Sequence, residues 1–285
     1  MPKSARSLAG LLLALAIGAA PVAADEPLGT TLARLDREIA AAPRDAMLWA
    51  RRAEIERLIG RYESSLRSLE RAAELGLDAT LAGRERGATL LAAGRVVDAE
   101  AALRVARDAA PNDVGVLLAH ARALARLGRS GDAADGYDRI VALAPRSNPD
   151  VYLERIHARA ASGPDSVDAA LAAVGDALGA LGPVPAFEQA GLDLELRSGR
   201  IDAALARLDR MTNASPADAG LRLRRAEILE RAGRIAEAGD AYRTVLSAVG
   251  DMPPARRTTP AAIRIEADAR DGVARIALGR EGRRP

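Results

Sequence analysis

The chain has 285 residues, 49% hydrophobic, 2% aromatic and 28% charged, with a formal net charge of +2 and no cysteine. The missing cysteine excludes a disulfide framework, a thiolate metal site, a cysteine nucleophile and an acylated cysteine behind a signal. The near-neutral charge argues against a nucleic-acid partner, which needs a basic face.

In chain order, the first segment reads as an address. Lys3 and Arg6 precede an apolar run from Leu8 to Ala20, and Pro21-Val22-Ala23-Ala24 supplies small residues before Asp25-Glu26. This is the pattern of a cleavable secretory signal over residues 1–24, with the mature chain starting at Asp25. The run falls short of the about 20 apolar residues that span a bilayer. The prediction is a soluble periplasmic or secreted protein, not membrane-inserted after cleavage and neutral once Lys3 and Arg6 are removed.

Residues 25–45 hold a lone helix, Leu32 to Ala42, closed by Pro43. From 46 to 250 a ladder of small residues follows: Ser65, Ala99, Ala133, Ala170, Ala204 and Ala238, each shortly after a glycine at Gly60, Gly94, Gly128, Gly163, Gly199 and Gly233. The usual step is 34 residues. A fixed period of that length with helical apolar patterning predicts stacked helix-turn-helix units, each leaving an apolar face for its neighbour to cover. Glycine ends each first helix where a left-handed residue is cheap, and an arginine follows it at Arg61, Arg95, Arg129, Arg200 and Arg234. Larger residues one turn past the small ones, at Leu69, Leu103, Tyr137, Val174, Leu208 and Tyr242, fill the seam. Small residues seven before the turn glycine, Ala53, Gly87, Ala121, Ala226 and Gly272, mark the closest approach on the first helix. Ile156 and Leu192 replace them in units four and five, and the fourth turn, Gly163-Pro164-Asp165-Ser166, carries two extra residues, so packing there is expected to be looser or shifted. Residues 251–285 read as a Pro- and Arg-containing loop, a capping helix opened by Thr259-Pro260 and running to Leu278, and a basic tail.

This pattern closely resembles the tetratricopeptide repeat, with Trp49, Ala53, Gly60, Tyr62 and Ala72 in phase in the first unit and Ala121, Ala133, Tyr137 and Pro145 in the third. The resemblance implies an all-α fold, a right-handed superhelical solenoid of antiparallel helix pairs, with six repeats over 46–250. It also implies that first helices line a concave groove that takes a peptide or protein segment. Carried onto this chain, the groove residues are Glu54 and Arg57, Arg84, Arg122 and Arg126, His157, Asp193 and Arg197, and Glu227 and Arg231. The middle of the set is basic, and arginine pairs bidentately with carboxylates, so an acidic segment or a chain terminus is the expected ligand. The lysine and asparagine residues by which some chaperone cofactors of the family clamp a terminal carboxylate are missing.

Chemistry is otherwise scarce. His120 and His157 lie on the first helices of consecutive units without the further ligands a metal needs. No phosphate loop or nucleophile elbow occurs. No cofactor and no metal is expected. The reading is a non-enzymatic interaction scaffold, an adaptor or assembly factor in the bacterial cell envelope; the alternative is an accessory subunit of an envelope enzyme or polysaccharide-export complex.

Overall fold

The computed structural model describes residues 27–163 and 166–281. The expected signal, the start at Asp25, Pro164 and Asp165 of the long turn, and the tail beyond residue 281 lie outside them. Among the described residues all regular structure is helical, and the chain divides into two compact units with the boundary between Ser162 and Gly163.

The first unit holds α1 (Leu28–Ala41), α2 (Ala46–Leu58), α3 (Tyr62–Glu74), α4 (Ala79–Ala92), α5 (Val96–Ala109), α6 (Val114–Arg126), α7 (Ser130–Leu143) and α8 (Pro149–Ala160). The second holds α9 (Val167–Leu181), α10 (Pro185–Arg197), α11 (Ile201–Ala214), α12 (Ala219–Arg231), α13 (Ile235–Gly250), α14 (Pro254–Arg257) and α15 (Pro260–Glu281). The expected fourth repeat therefore divides its helices, α8 going to the first unit and α9 to the second. Within a unit each long helix packs on the one before it, and α15 packs on both α12 and α13. A single helical turn, α14, sits inside the stretch read from sequence as loop. Thr259 opens α15 as expected, its Oγ1 accepting the Ala262 N–H at 3.3 Å.

First and second helices start differently. Asp45, Asp78, Asp113, Asn148 and Asp218 cap first helices, their side chains accepting N–H bonds two or three residues on. Second helices begin at the arginine of the Gly-Arg turn, with no side-chain cap. The glycines adopt φ of 72 to 79°, and the following arginine N–H reaches back five residues, as Arg95 does to the Leu90 carbonyl at 2.9 Å. That pair of features is a Schellman ending, which only glycine enters without strain. The arginine side chains then tie each pair to the preceding second helix: Arg95 to Glu63 at 3.4 Å, Arg129 to Glu100 at 3.5 Å, and Arg200 to Asp168 and Arg234 to Asp202 at 2.6 Å.

The core is the seam between paired helices. The six ladder residues, from Ser65 to Ala238, are fully buried at 0% exposure, so the second helix rests directly on the first. At Gly87 an added Cβ would lie 2.3 Å from Leu103 Cγ, and at Gly272 it would lie 2.5 Å from Tyr242 Cζ. These two glycines are seats for the large residues of the facing helix. Where Leu192 stands in place of a small residue, the seat has moved one position: Gly191 receives the Arg207 guanidinium, whose Cζ would meet a Cβ there at 2.5 Å. The packing is shifted rather than looser, since Leu192 and Ile156 are both fully buried.

Candidate functional site

In the first unit α2 contacts α4 and α4 contacts α6, whereas no contact of like extent joins α3 to α5 or α5 to α7 among the described residues. First helices are thus crowded together and second helices splayed apart, which bends this unit with its first helices on the inside. The strip they form carries Glu54 and Arg57 on α2, Arg84 on α4, and Arg122 and Arg126 on α6; exposed His157 lies on α8, which packs on α7.

Most of these charges already have partners on the neighbouring first helix. Buried Glu85 takes Arg84 on one oxygen at 3.0 Å and faces Arg57 across the α2–α4 seam at 3.7 Å. Burial, then Glu85, push the Glu54 carboxyl above its usual range. Arg122 forks onto both oxygens of Glu154 on α8, with contacts of 2.8 to 3.1 Å, and that bond holds its guanidinium proton more tightly than usual. Arg126 donates to the Leu91 carbonyl at 2.7 Å, a neutral acceptor that leaves its charge unbalanced. The arrangement is an alternation of arginine and glutamate bridging successive helices.

In the second unit, Asp193 on α10 accepts from Gln189 at 2.8 Å and from Arg224 on α12 at 2.9 Å. Arg197 and Arg231 are exposed and donate to the main-chain carbonyls of Asp193 and Glu227, each at 3.3 Å. This part of the predicted set is mixed in sign, as expected.

Sequence reasoning missed the buried charges. Glu56 accepts from Ser64 at 2.6 Å, Ser68 at 2.7 Å and Arg52 at 2.7 Å. Arg207 is held by both oxygens of Glu195 at 2.9 Å and by Glu188 at 2.6 Å. Glu230 accepts the Tyr242 hydroxyl at 2.6 Å and the Arg275 guanidinium at 2.9 Å. The signal was present in the register: each partner, Ser68, Arg207 or Tyr242, lies twelve residues after its glutamate. His120 is 5% exposed, and burial, then Arg107, hold its ring below the usual histidine value, hence neutral at pH 7. No cluster of three or more potential ligands able to hold a metal occurs among the described residues, and no described helix is long and apolar enough to cross a membrane.

A profile of the tetratricopeptide repeat family matches residues 59–114 and 191–253, one stretch in each unit. Both matched stretches are tetratricopeptide repeats. Among solved structures, this chain is similar to a tetratricopeptide repeat protein from Parabacteroides merdae, with 14% identity, a TM-score of 0.52 and coverage of 85% of this chain and 92% of that one. It is also similar to MamA from Desulfovibrio magneticus, with 16% identity, a TM-score of 0.51 and coverage of 59% of this chain and 94% of that one. A thermophilic repeat protein from Thermus thermophilus is 25% identical over 65% of this chain and 98% of that chain, at a TM-score of 0.43. No curated protein matches it in sequence. What is shared with the first two of these structures is the fold; the tetratricopeptide repeat is typically a non-catalytic protein-interaction scaffold.

Proposed function

We propose that this chain is a non-enzymatic adaptor or assembly factor, exported to the cell envelope, that takes a segment of a partner protein along the first-helix strip of its first unit. The observation that supports this reading is the crowding of α2, α4 and α6, the first helices that bear Arg57, Arg84, Arg122 and Arg126, on the inner side of the unit. An acidic segment suits the strip because the charge of Arg126 is answered only by a carbonyl. Asp193, Arg197, Glu227 and Arg231 offer a second, mixed contact surface within their own unit.

The test is co-purification from an envelope fraction. Arg122→Glu combined with Arg126→Glu is expected to abolish capture of the partner while the protein melts within a few degrees of wild type, and wild-type capture should weaken with added salt. Arg67→Glu, on the exposed side of α3, should leave capture intact. Loss of the partner with Arg67→Glu and its retention in the double variant would overturn the proposal and place the partner on the second helices.

A further inference from the structure

A second repeating feature runs through both units. A basic residue midway along a first helix answers an acid sixteen residues earlier on the preceding second helix: Arg52 lies 2.9 Å from Asp36, Arg86 3.4 Å from Glu70, and Arg225 3.2 Å from Asp209. Arg155 and Asp138 do the same at a spacing of seventeen and 2.5 Å. His120 occupies the corresponding place on α6, but sixteen residues before it stands Arg104. In this one rung an arginine holds the position of the acid.

The exchange leaves one nearby acid serving three donors. Glu100, one turn before Arg104, offers a single oxygen to His120 Nε2 and Arg129 at 3.5 Å and to Arg104 at 3.8 Å. All three contacts are long, and no hydrogen bond of good geometry reaches buried His120 Nε2. A cavity of about 520 Å³ opens at this point between α5, α6 and α7, floored by Leu117, His120 and Leu124. Its other acids are engaged, Asp132 by Arg129 at 2.7 Å and Asp135 by Arg159 at 3.1 Å. Arg107 is paired with Asp108, whereas Arg139 donates to the Pro111 carbonyl and the Asn112 side chain, so no carboxylate balances it. With Glu100 Oε1 nearby, the imidazole tautomer that keeps its hydrogen on Nε2 is favoured, which makes that atom a donor.

We propose that this cavity binds a carboxylate from outside the chain, seated between His120 and Arg104 where Asp36, Glu70 and Asp209 sit in the other rungs. Leu117 and Leu124 provide an apolar floor for a short methylene stem, so the ligand is a small organic acid or the acid side chain of a partner. The site lies between α5, α6 and α7 and is lined by none of Arg57, Arg84, Arg122 and Arg126, so it stands independently of the reading given for the first-helix strip.

With only two histidines in the chain, the imidazole carbon–proton spectrum of the full-length protein reports this site directly, and exposed His157 serves as the control. Millimolar glutarate, or an acetylated and amidated diglutamyl peptide, is expected to shift the His120 ring signals saturably and leave those of His157 in place, while sodium chloride of equal ionic strength does not. Saturation by glutarate identifies a free small acid as sufficient; saturation by the peptide alone identifies an acid borne on a chain. Arg104→Gln should weaken the affinity about tenfold. Arg104→Glu restores the missing rung, so it should abolish binding and raise the melting temperature. Failure of both probes to saturate the His120 shift, or undiminished glutarate affinity in Arg104→Glu, overturns the proposal.

Discussion

The α2/α3 and α10/α11 pairs bury a carboxylate at the same place, four residues before the turn glycine, and complete it differently. Glu56 is satisfied by two serine hydroxyls and by Arg52 of its own helix, so nothing large crosses the seam and Ala53 keeps its usual role as the small contact. Glu195 is satisfied by Arg207 from across the seam, and a guanidinium needs room, which Gly191 supplies. The position of the small residue is therefore set by the bulk of what faces it, and the repeat consensus is one solution among several.

Breaking the larger of the two clusters should cost most. Arg207→Met leaves buried Glu195 and half-buried Glu188 without a cation, and urea titration should show a loss of about 3–5 kcal/mol; a loss below that of Ser68→Ala would contradict the cluster. Gly191→Ala drives a methyl into the clamped guanidinium and should cost about 1–3 kcal/mol. A melting curve superimposable on wild type would show that Arg207 has another place to go. Ser68→Ala removes one of three partners of Glu56, and a loss of about 1 kcal/mol is expected in the same titration.

The α12/α13 pair is a third version and gives the mildest test. The Arg275 hydrogen bond, with help from the Tyr242 hydroxyl, holds the Glu230 carboxyl below its ordinary 4.5. A folded value below the unfolded one means that the stabilisation is fully present above pH 4.5 and drains away as pH falls through the folded value. Tyr242→Phe should therefore melt less steeply with falling pH in that acid window than wild type. Parallel pH profiles for the two proteins would remove the hydroxyl from the account.

The sequence exposed the repeat because the burial of Ser65, Ala99 and Ala133 recurs at one period, and the left-handed turn glycines carry their own conformational signature. It did not expose α14, since a four-residue turn has no periodicity to detect. Nor did it show that Arg57, Arg84 and Arg122 are largely spoken for. Their acids, Glu85 and Glu154, project from the neighbouring first helix or from the next position on the same one, and helical phase alone does not pair them. The shift of the seat to Gly191 was equally hidden, because it follows from the size of Arg207 twelve or more residues away. The envelope setting rests wholly on residues 1–24, which the structure leaves undescribed.

The turn arginines have a bearing on how such a chain lengthens. Each of Arg95, Arg129, Arg200 and Arg234 reaches an acid on the previous second helix, and three of the four also meet an acid three residues ahead, Asp98, Asp132 and Glu237. A duplicated block of one period would arrive carrying both halves of this fastening, the arginine that reaches backward and the acid that receives the next arginine. New copies could then be spliced between old ones with their electrostatic joints ready-made, leaving later substitutions free to alter the outward surface without first having to secure the join.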